Sequence, residues 1–358
     1  MKVLVYDVAA EDGGGLFVLK NFYNDVLRSN TDIEWTFMVS TGVLERADQI
    51  EIKEFPEVKS SWLARWRFEN QKLPAIIQKE AYDAIISLQN MPISKSNLKQ
   101  LVYLHQSLQY CPKHFSIFKS EERGMAIRQK LICGLIKRHL KQSKHIFVQT
   151  QWIKDATMKW VRLGDRDITV VPVSFSTENL PIKPYFGKNS KTFFYPARAE
   201  VYKNHQVIID ACRTLQFKGI TDYNVVLTIE ESMGSYAKRI IEQTKNLPIQ
   251  CIGMVNYEKI WNFYSQSILL FPSYLETCGL PLLEAKAACA RIIASDLPFS
   301  HEALDGYPNV EFFPYDNYKV LADRMEIALR SPKYIPCDTN VYEEKESLLQ
   351  AMLPYLQD

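Results

Sequence analysis

Short apolar segments alternate with amphipathic helical segments along the whole chain, and this alternation constrains the fold most. Most of the short segments are rich in Val, Ile, Phe or Tyr, as expected of strands buried on both faces of a parallel sheet. Helical patterns fit between them, and the alternation in two halves predicts two doubly wound α/β sheets. The predicted strands are 3–7, 35–39, 84–87, 101–105, 145–148 and 168–171, then 192–195, 224–228, 249–253, 268–271, 291–294 and 310–313.

The boundary between the halves is predicted within 172–190, where Pro and Gly residues interrupt the patterns. We therefore expect a Rossmann-like N-terminal domain over 1–178 and a second Rossmann-like domain over 190–338. The final segment, 339–358, is expected to form a helix that crosses back to the first domain. A chain of 358 residues fits two domains of ordinary size.

The composition excludes several classes of protein. A hydrophobic fraction of 47% and a charged fraction of 23% are typical of a globular chain. No apolar run is long enough for a signal peptide or a membrane-spanning helix. The seven cysteines are scattered and never form a C-x-x-C pair, which argues against a disulfide framework and a zinc ribbon. A cytoplasmic location is expected.

Basic residues are concentrated in the first half. Residues 113–166 hold 13 basic and 4 acidic side chains, and 123–144 hold seven basic and no acidic ones. On one helix, five of these would share a face that either is simply solvated or meets an anionic membrane surface. No nucleic-acid-binding module is present, so no nucleic acid partner is expected. The basic face comprises Arg123, Lys130, Lys137, Lys141 and Lys144, and the opposite face, expected to be buried, comprises Met125, Leu131, Ile132, Leu135, Ile136 and Leu140.

The stretch 271–285, FPSYLETCGLPLLEA, carries the clearest chemical pattern. It leaves a strand, crosses a turn of small residues and enters a helix, with Glu276 and Glu284 on either side of the helix start. A helix N-terminus presents unpaired N–H donors and a positive dipole end, which suits a diphosphate. The two carboxylates could accept hydrogen bonds from sugar or ribose hydroxyls. The residues expected to offer backbone donors are Thr277, Cys278, Gly279 and Leu280.

This stretch resembles the E-x7-E signature of retaining glycosyltransferases of family four, which have the GT-B fold of two Rossmann-like domains facing across a cleft. The resemblance implies that Glu276 approaches the transferred sugar and that Glu284 binds the ribose of the donor. The segment 292–298 followed by Glu302 is similar to the continuation of the family's sequence. Two departures occur: Val173 and Ser174 stand where the family usually has Asn-Gly, and Cys278 stands where Phe is common.

Two further segments of the second half resemble the family. Arg198 and Lys203 follow a predicted strand, and by resemblance they neutralise the donor pyrophosphate. Fixed cations stabilise the charge that develops on a departing diphosphate, so the pair could replace a metal ion. The third segment is 251–255, where the resemblance implies that the main chain near Val255 reads the nucleotide base.

In the first half, Asp12-Gly13-Gly14-Gly15 follows the first strand and opens a helix. Gly14 and Gly15 would let the backbone approach the donor closely, although a simple tight turn is the competing interpretation. His105 ends a predicted strand, the place where ligands of α/β sheets gather. The family often has a histidine there, close to the sugar. Trp62 and Trp66, four residues apart on a predicted helix, could stack on a sugar, meet lipid or enter the core.

The resemblance implies a metal-independent hexosyltransferase without a cofactor. It would move a sugar, with retention of configuration, from a nucleoside diphosphate sugar to a glycan or lipid-linked acceptor in bacterial polysaccharide or lipopolysaccharide biosynthesis. The protein would be cytoplasmic or peripheral on the inner face of the cell membrane. Two alternatives stay open: a GT-B sugar-nucleotide epimerase, and a catalytically silent subunit that binds nucleotide sugars.

Overall fold

The computed structural model describes residues 1–11, 13–173, 181, 183, 185–330, 333–337 and 346–357. Within this part, thirteen strands form two sheets, and all their pairings are parallel. The first sheet comprises β1 (Lys2–Asp7), β2 (Glu34–Val39), β3 (Ile50–Glu54), β4 (Ala84–Ser87), β5 (Lys99–Leu104), β6 (His145–Val148) and β7 (Ile168–Val170). The second comprises β8 (Thr192–Tyr195), β9 (Asn224–Leu227), β10 (Ile249–Cys251), β11 (Ile268–Phe271), β12 (Arg291–Ser295) and β13 (Val310–Phe313).

Helices connect the strands of both sheets. Those of the first half are α1 (Gly13–Arg28), α2 (Trp62–Arg67), α3 (Leu73–Glu80), α4 (Arg123–Ile127), α5 (Cys133–His139) and α6 (Gln151–Val161). Single π-helical turns, Phe68–Lys72 and Arg128–Ile132, join α2 to α3 and α4 to α5. The remaining helices are α7 (His205–Phe217), α8 (Ser235–Gln243), α9 (Tyr257–Gln266), α10 (Leu280–Ala287), α11 (Pro298–Ala303), α12 (Tyr318–Arg330) and α13 (Leu348–Gln357).

The strand order of both sheets follows the doubly wound pattern. It is β3-β2-β1-β4-β5-β6-β7 in the first sheet and β10-β9-β8-β11-β12-β13 in the second. In each sheet the order reverses beside the first strand, which creates a switch point at the carboxyl ends of the strands. The central strands β4, β11 and β12 are buried along their whole length, so their sequences are apolar at nearly every position. This is the predicted fold class, two Rossmann-like α/β units.

The chain divides into two compact units. The first comprises the described residues within Met1–Gln109, Arg128–Ser174 and Glu344–Asp358, and the second those within Tyr110–Ile127 and Phe175–Glu343. Segment 110–127 therefore groups with the second half of the chain, although it lies within the predicted first domain. Glu121 on this segment forms an ion pair with Arg239 at 2.8 Å, and the ring of Phe115 stacks near Tyr274.

The final helix completes the core of the first unit. Leu349 and Met352 of α13 are buried in one cluster with Val3 of β1 and Phe22 of α1. A second cluster on the other side of the sheet contains Tyr6 and residues of α3. Both faces of the first sheet are thereby covered, as an all-parallel sheet requires.

The predicted strands are all present with small differences in their ends, but the sequence pattern failed to indicate β3. This strand reads Ile-Glu-Ile-Lys-Glu and lies at the edge of the sheet, where only Ile50 is buried. An edge strand needs few apolar positions, so it lacks the continuous apolar run by which the other strands were predicted. The last segment, 339–358, was expected to form a helix; 346–357 is described and contains the helix Leu348–Gln357, while 339–345 and 358 lie outside the described residues.

The prediction that Leu131 and Leu135 are buried is wrong. Leu131 is 61% exposed and Leu135 is 38% exposed, whereas Ile136 and Leu140 are buried as expected. The buried row runs through Cys133, Ile136 and Leu140, and it is too narrow to include the two leucines beside it. All five lysines and arginines of the predicted basic face are exposed. Within the described residues, no helix has the length and apolar character needed to cross a membrane.

Replacing Met352 by alanine should lower the free energy of unfolding of the first unit by about 2–5 kcal/mol, because this side chain is fully buried and its loss leaves a cavity. Urea denaturation followed by circular dichroism would measure the change. Gln357→Ala, at an exposed position of the same helix, is the matched control and should change stability by less than about 0.5 kcal/mol. Equal stability of the two variants would show that α13 is not part of the folded core.

Candidate functional site

The switch point of the second sheet lies between β8 and β11. These two strands are neighbours in parallel register, with Phe194 opposite Leu269. Their following loops, 196–204 and 272–279, therefore leave the sheet side by side at its carboxyl edge. Loops at such a point form the usual ligand-binding crevice of open α/β sheets. Most of the site residues that the sequence analysis predicted in the second half lie on these two loops.

The two loops are fastened to each other by hydrogen bonds. The side-chain amide of Asn204 donates to the carbonyl of Pro272 at 3.1 Å and to that of Tyr315 at 2.7 Å. Asn204 has a φ of +60°, a left-handed conformation that asparagine tolerates better than most residues. The hydroxyl of Ser273 donates to the carbonyl of Tyr202 at 3.2 Å, and the amide of Tyr274 does so at 3.0 Å. These bonds fix the position of Lys203 relative to the second loop.

Lys203 and Glu276 form an ion pair across the two loops. The distance from Nζ of Lys203 to Oε1 of Glu276 is 2.6 Å, and the side chains are only 17% and 14% exposed. Burial by itself would lower the pKa of Lys203, but the attraction and hydrogen bond of Glu276, together with the effects of Tyr202 and Glu200, raise the pKa above its usual value. Arg198, on the same loop as Lys203, is exposed. A partly buried ammonium and carboxylate are thus held at the switch point.

Helix α10 begins directly after the second loop. Gly279 precedes its first residue and has a φ of +66°; a Cβ at this position would approach Leu282 Cδ1 to 3.1 Å, so glycine fits both the conformation and the space. Thr277, Cys278 and Leu280 are partly buried around this start. Burial raises the pKa of the Cys278 thiol to about 11, so it is a neutral group at physiological pH.

Glu284, one turn into α10, is held by two tyrosines of α9. The hydroxyl of Tyr257 donates to Oε1 at 3.1 Å and that of Tyr264 donates to Oε2 at 2.8 Å. Burial raises the pKa of Glu284, and the two phenolic hydrogen bonds oppose that effect. Because each carboxylate oxygen is already anchored by one donor, the carboxylate is fixed in orientation while its remaining lone pairs can accept from a ligand.

The loop between β10 and α9 contains Val255, which is half-buried, and the exposed Met254. Gly253 has a φ of +69°, and a Cβ there would lie 2.9 Å from Oε2 of Glu230. The loop ends at Asn256, whose side chain accepts from the amide of Lys259 and caps α9. The backbone around Val255 is therefore confined between the Glu230 loop and the start of α9.

In the first unit, the start of α1 lies beside His105. Gly14 and Gly15 are in the first turn of α1, and a Cβ on Gly15 would be 3.9 Å from Cε1 of His105. Asp12, which opens the glycine run, lies outside the described residues. Nε2 of His105 is 2.8 Å from the carbonyl of Leu88, so it carries the proton of the neutral ring and Nδ1 is the acceptor. Burial lowers the pKa of His105, which favours this neutral form.

The structure thus brings Lys203, Glu276 and the start of α10 together in the second unit, and Gly15 and His105 together in the first. The sequence analysis missed Asn204, Tyr257 and Tyr264. Asn204 is adjacent to a predicted site residue and is the asparagine of a positive-φ turn, so it could have been found from its neighbour. Nothing in the sequence links the tyrosines to Glu284, because 20 or more residues separate them. The roles assigned to all these residues stay predictions.

Comparison with known proteins agrees with this arrangement. Residues 176–336 match the family described as glycosyl transferases group 1. The O-antigen chain mannosyltransferase RfbU of Salmonella typhimurium is 24% identical over 179 residues, which are 48% of this chain and 47% of the relative. The chain therefore aligns with about half the length of this curated relative.

Two solved structures share the fold over most of their length. The HepE protein of Anabaena, in complex with UDP and glucose, has a TM-score of 0.63 and 16% identity, covering 92% of this chain and 90% of HepE. The apo form of the lipopolysaccharide outer core galactosyltransferase WaaB has a TM-score of 0.60 and 15% identity, covering 99% and 94%. The fold is GT-B. Within it, residues 176–336 are similar to the glycosyl transferases group 1 family.

Replacing Tyr264 by phenylalanine should raise the pKa of Glu284 further, because the carboxylate loses a donor that favours its charged form. A carbon-13 NMR titration of protein labelled at glutamate carboxyl groups would follow the change, with Glu284→Gln to assign the resonance. Tyr318→Phe, at an exposed tyrosine, is the control and should leave the titration unchanged. An unaltered Glu284 pKa in Tyr264→Phe would contradict the hydrogen bond as described.

Proposed function

We propose that the protein is a retaining, metal-independent hexosyltransferase that moves a sugar from a nucleoside diphosphate sugar to an acceptor hydroxyl of a bacterial surface glycan or lipid-linked oligosaccharide. The partly buried Lys203–Glu276 ion pair beside the start of α10 is the observation that carries the proposal. The mannosyltransferase RfbU and the galactosyltransferase WaaB, which are similar to this chain, support the substrate class. The complex of HepE with UDP and glucose supports a uridine diphosphate sugar among the candidate donors.

The residues suggest how the donor would be held. The N-terminus of α10 offers backbone donors to the diphosphate, and Arg198 and Lys203 add positive charge. An ammonium has three donors, so Lys203 can bond a phosphate oxygen while it keeps its contact with Glu276. Glu284, already oriented by its two tyrosines, would accept the ribose hydroxyls, and the backbone near Val255 would meet the base. The first unit would hold the acceptor, with Nδ1 of His105 accepting from a sugar hydroxyl.

In the proposed reaction, the bond between the anomeric carbon and the diphosphate oxygen breaks while the acceptor oxygen bonds to that carbon on the same face. The acceptor's proton passes to the departing phosphate oxygen, and the diphosphate leaves with the electron pair of the broken bond. Arg198 and Lys203 stabilise the negative charge that grows on this leaving group, which is where fixed cations accelerate a reaction most. Glu276 would lie against the transferred sugar, which gains positive charge as its bond to the diphosphate breaks.

A panel of nucleotide sugars tests the function directly. A transferase should slowly hydrolyse its cognate donor to a nucleoside diphosphate and free sugar, and UDP-glucose, UDP-galactose and GDP-mannose are the first donors to try. A sugar-nucleotide epimerase would instead return a changed sugar. A silent binding subunit would be stabilised by a donor without consuming it. If the protein consumes none of the donors, the proposed transferase function is wrong.

Arg198→Ala and Lys203→Ala should each lower the rate of donor consumption by roughly tenfold to a thousandfold, the usual effect of losing one electrostatic stabiliser. The rate is measured as release of nucleoside diphosphate at saturating donor. Lys238→Ala, at an exposed lysine of the same unit, is the matched control and should retain full activity. Activity should persist in EDTA; loss that magnesium restores would contradict the metal-free mechanism.

We also propose that the protein works as a cytoplasmic, peripheral protein on an anionic membrane surface, where a lipid-linked acceptor would be found. Lys130, Lys137 and Lys141 are exposed, and Leu131 and Leu135 present apolar surface on the same stretch. A basic residue near an anionic leaflet contributes about 1 kcal/mol of binding, and apolar side chains that enter the interface add to it.

The variant Lys130/Lys137/Lys141→Glu should lose most co-sedimentation with vesicles containing phosphatidylglycerol at low salt, because attraction becomes repulsion. Binding of the unaltered protein should also weaken at high salt. The control is Lys20/Lys79/Lys159→Glu, which makes the same change in net charge at other exposed lysines of the first unit. Equal binding by the two variants would mean that this stretch does not face the membrane.

A further inference from the structure

The first unit contains a cavity of about 360 Å³ that the proposed donor site does not use. It lies between α2 with its following π-helical turn, the loop after β4, and helix α5. Trp62 and Trp66 of α2 form its aromatic wall, and Leu135 and His139 of α5 also line it. Every residue that lines it belongs to the first unit. The cavity therefore exists within one compact unit.

The aromatic wall is unusual because its rings are accessible. Trp62 is 65% exposed and Trp66 is 45% exposed, although indoles are normally well covered. They are four residues apart on α2, so both rings project from one side of the helix. Neither tryptophan is in the core, which answers one of the alternatives raised by the sequence. The two indole rings of Trp62 and Trp66 therefore offer apolar surface to a ligand in the cavity.

The cavity also has polar lining residues, Tyr6, Glu69 and Gln89, which we call its polar floor; Arg65 is outside the lining and bonds to two of them. Nε of Arg65 donates to Oε1 of Glu69 at 3.0 Å, and NH2 of Arg65 donates to Oε1 of Gln89 at 3.1 Å. The hydroxyl of Tyr6 donates to the same oxygen of Glu69 at 3.3 Å. Gln89 is only 8% exposed and Tyr6 is fully buried. No described residue donates to Oε2 of Glu69, so this oxygen is left to accept from a ligand.

We propose that this cavity binds one pyranose ring of the glycan acceptor; the inference rests on the proposed transferase function. A pyranose has an apolar face of C–H groups and a rim of hydroxyls. The C–H face would stack on Trp66 or Trp62, and hydroxyls would reach Glu69 and Gln89. Small-molecule sites commonly combine such an apolar lining with a few fixed polar groups.

The polar floor favours a sugar over a lipid chain. A hydrocarbon chain that filled the cavity would remove water from Glu69 and Gln89 and return no hydrogen bond, which is costly for polar groups and above all for the carboxylate. A sugar hydroxyl replaces the lost water as a donor to Oε2 of Glu69. The exposed Leu131 lies outside the lining and belongs to the stretch proposed to meet the membrane. Leu135 of the same stretch lines the cavity, so the two surfaces adjoin there, but only the cavity contains Glu69 and Gln89.

The test uses the full-length protein and the methyl glycosides of mannose, galactose, glucose and N-acetylglucosamine as probes, with binding followed by tryptophan fluorescence and by saturation-transfer NMR. At least one glycoside should bind. Trp66→Ala should weaken its binding roughly fivefold to twentyfold, and Glu69→Gln, which keeps the side-chain shape, by about fivefold. Leu63→Ala, on the same helix but outside the lining, is the matched control.

Each other outcome has a defined meaning. Binding of decanol but of no glycoside, with the same loss in Trp66→Ala, would overturn the sugar assignment in favour of a lipid. Glycoside binding that is equal in Trp66→Ala, Glu69→Gln and Leu63→Ala would place the ring elsewhere. The urea midpoint of each variant is measured to exclude unfolding. If Glu69→Gln misfolds, Trp66→Phe replaces it in the test: this variant keeps an aromatic ring and should retain binding, whereas Trp66→Ala should lose it.

Donor hydrolysis separates this inference from the proposed function. All variants of the cavity should release nucleoside diphosphate from the cognate donor at the rate of the unaltered protein, since the cavity contains no group of the donor site. Absence of donor hydrolysis in the unaltered protein, with its glycoside binding intact, would refute the transferase and keep the sugar site. Normal hydrolysis without glycoside binding would refute the sugar site alone.

Discussion

The parallel pairing of β8 with β11 is the constraint on which the candidate site depends. It places the loops of Lys203 and Glu276 at one edge of the sheet, although 73 residues separate them. Proximity alone would not give a 2.6 Å contact. The two hydrogen bonds from Asn204 remove the remaining freedom by tying the first loop to Pro272 and Tyr315. An ion pair that is taken out of water stabilises little unless its geometry is fixed, and here backbone pairing fixes it first.

Much of this architecture could be predicted from the sequence, because a strand buried on both faces needs a continuous apolar run. The same reasoning explains what was missed. β3 is an edge strand with one buried residue, so its pattern is weak. Leu131 and Leu135 were expected in the core because apolar residues usually are, yet Leu135 lines a cavity and Leu131 is exposed. Whether a half-apolar helix face meets core, cavity or solvent depends on neighbours that the local pattern does not contain.

The residues of the candidate site were likewise only partly predictable from the sequence. Glu276, Glu284, Arg198 and Lys203 could be selected because they resemble a known motif with fixed spacing. Their partners could not, since Tyr257 and Tyr264 reach Glu284 from a different helix and no spacing rule connects them. These tyrosines hold both carboxylate oxygens and leave the group oriented before a ligand arrives. Orientation in advance lowers the cost of binding, so residues that touch no ligand can still set donor affinity.

The two units have the same topology but different chemistry at the equivalent place. At the switch point of the second sheet, the Lys203–Glu276 ion pair lies beside the start of α10, an environment suited to phosphate. At the carboxyl edge of the first sheet, α1 begins with glycines beside a histidine that burial keeps neutral. A neutral imidazole and close backbone suit hydroxyl groups, which carry no charge to be compensated. These electrostatic differences support the proposed assignment of the anionic donor to the second unit and of the sugar acceptor to the first.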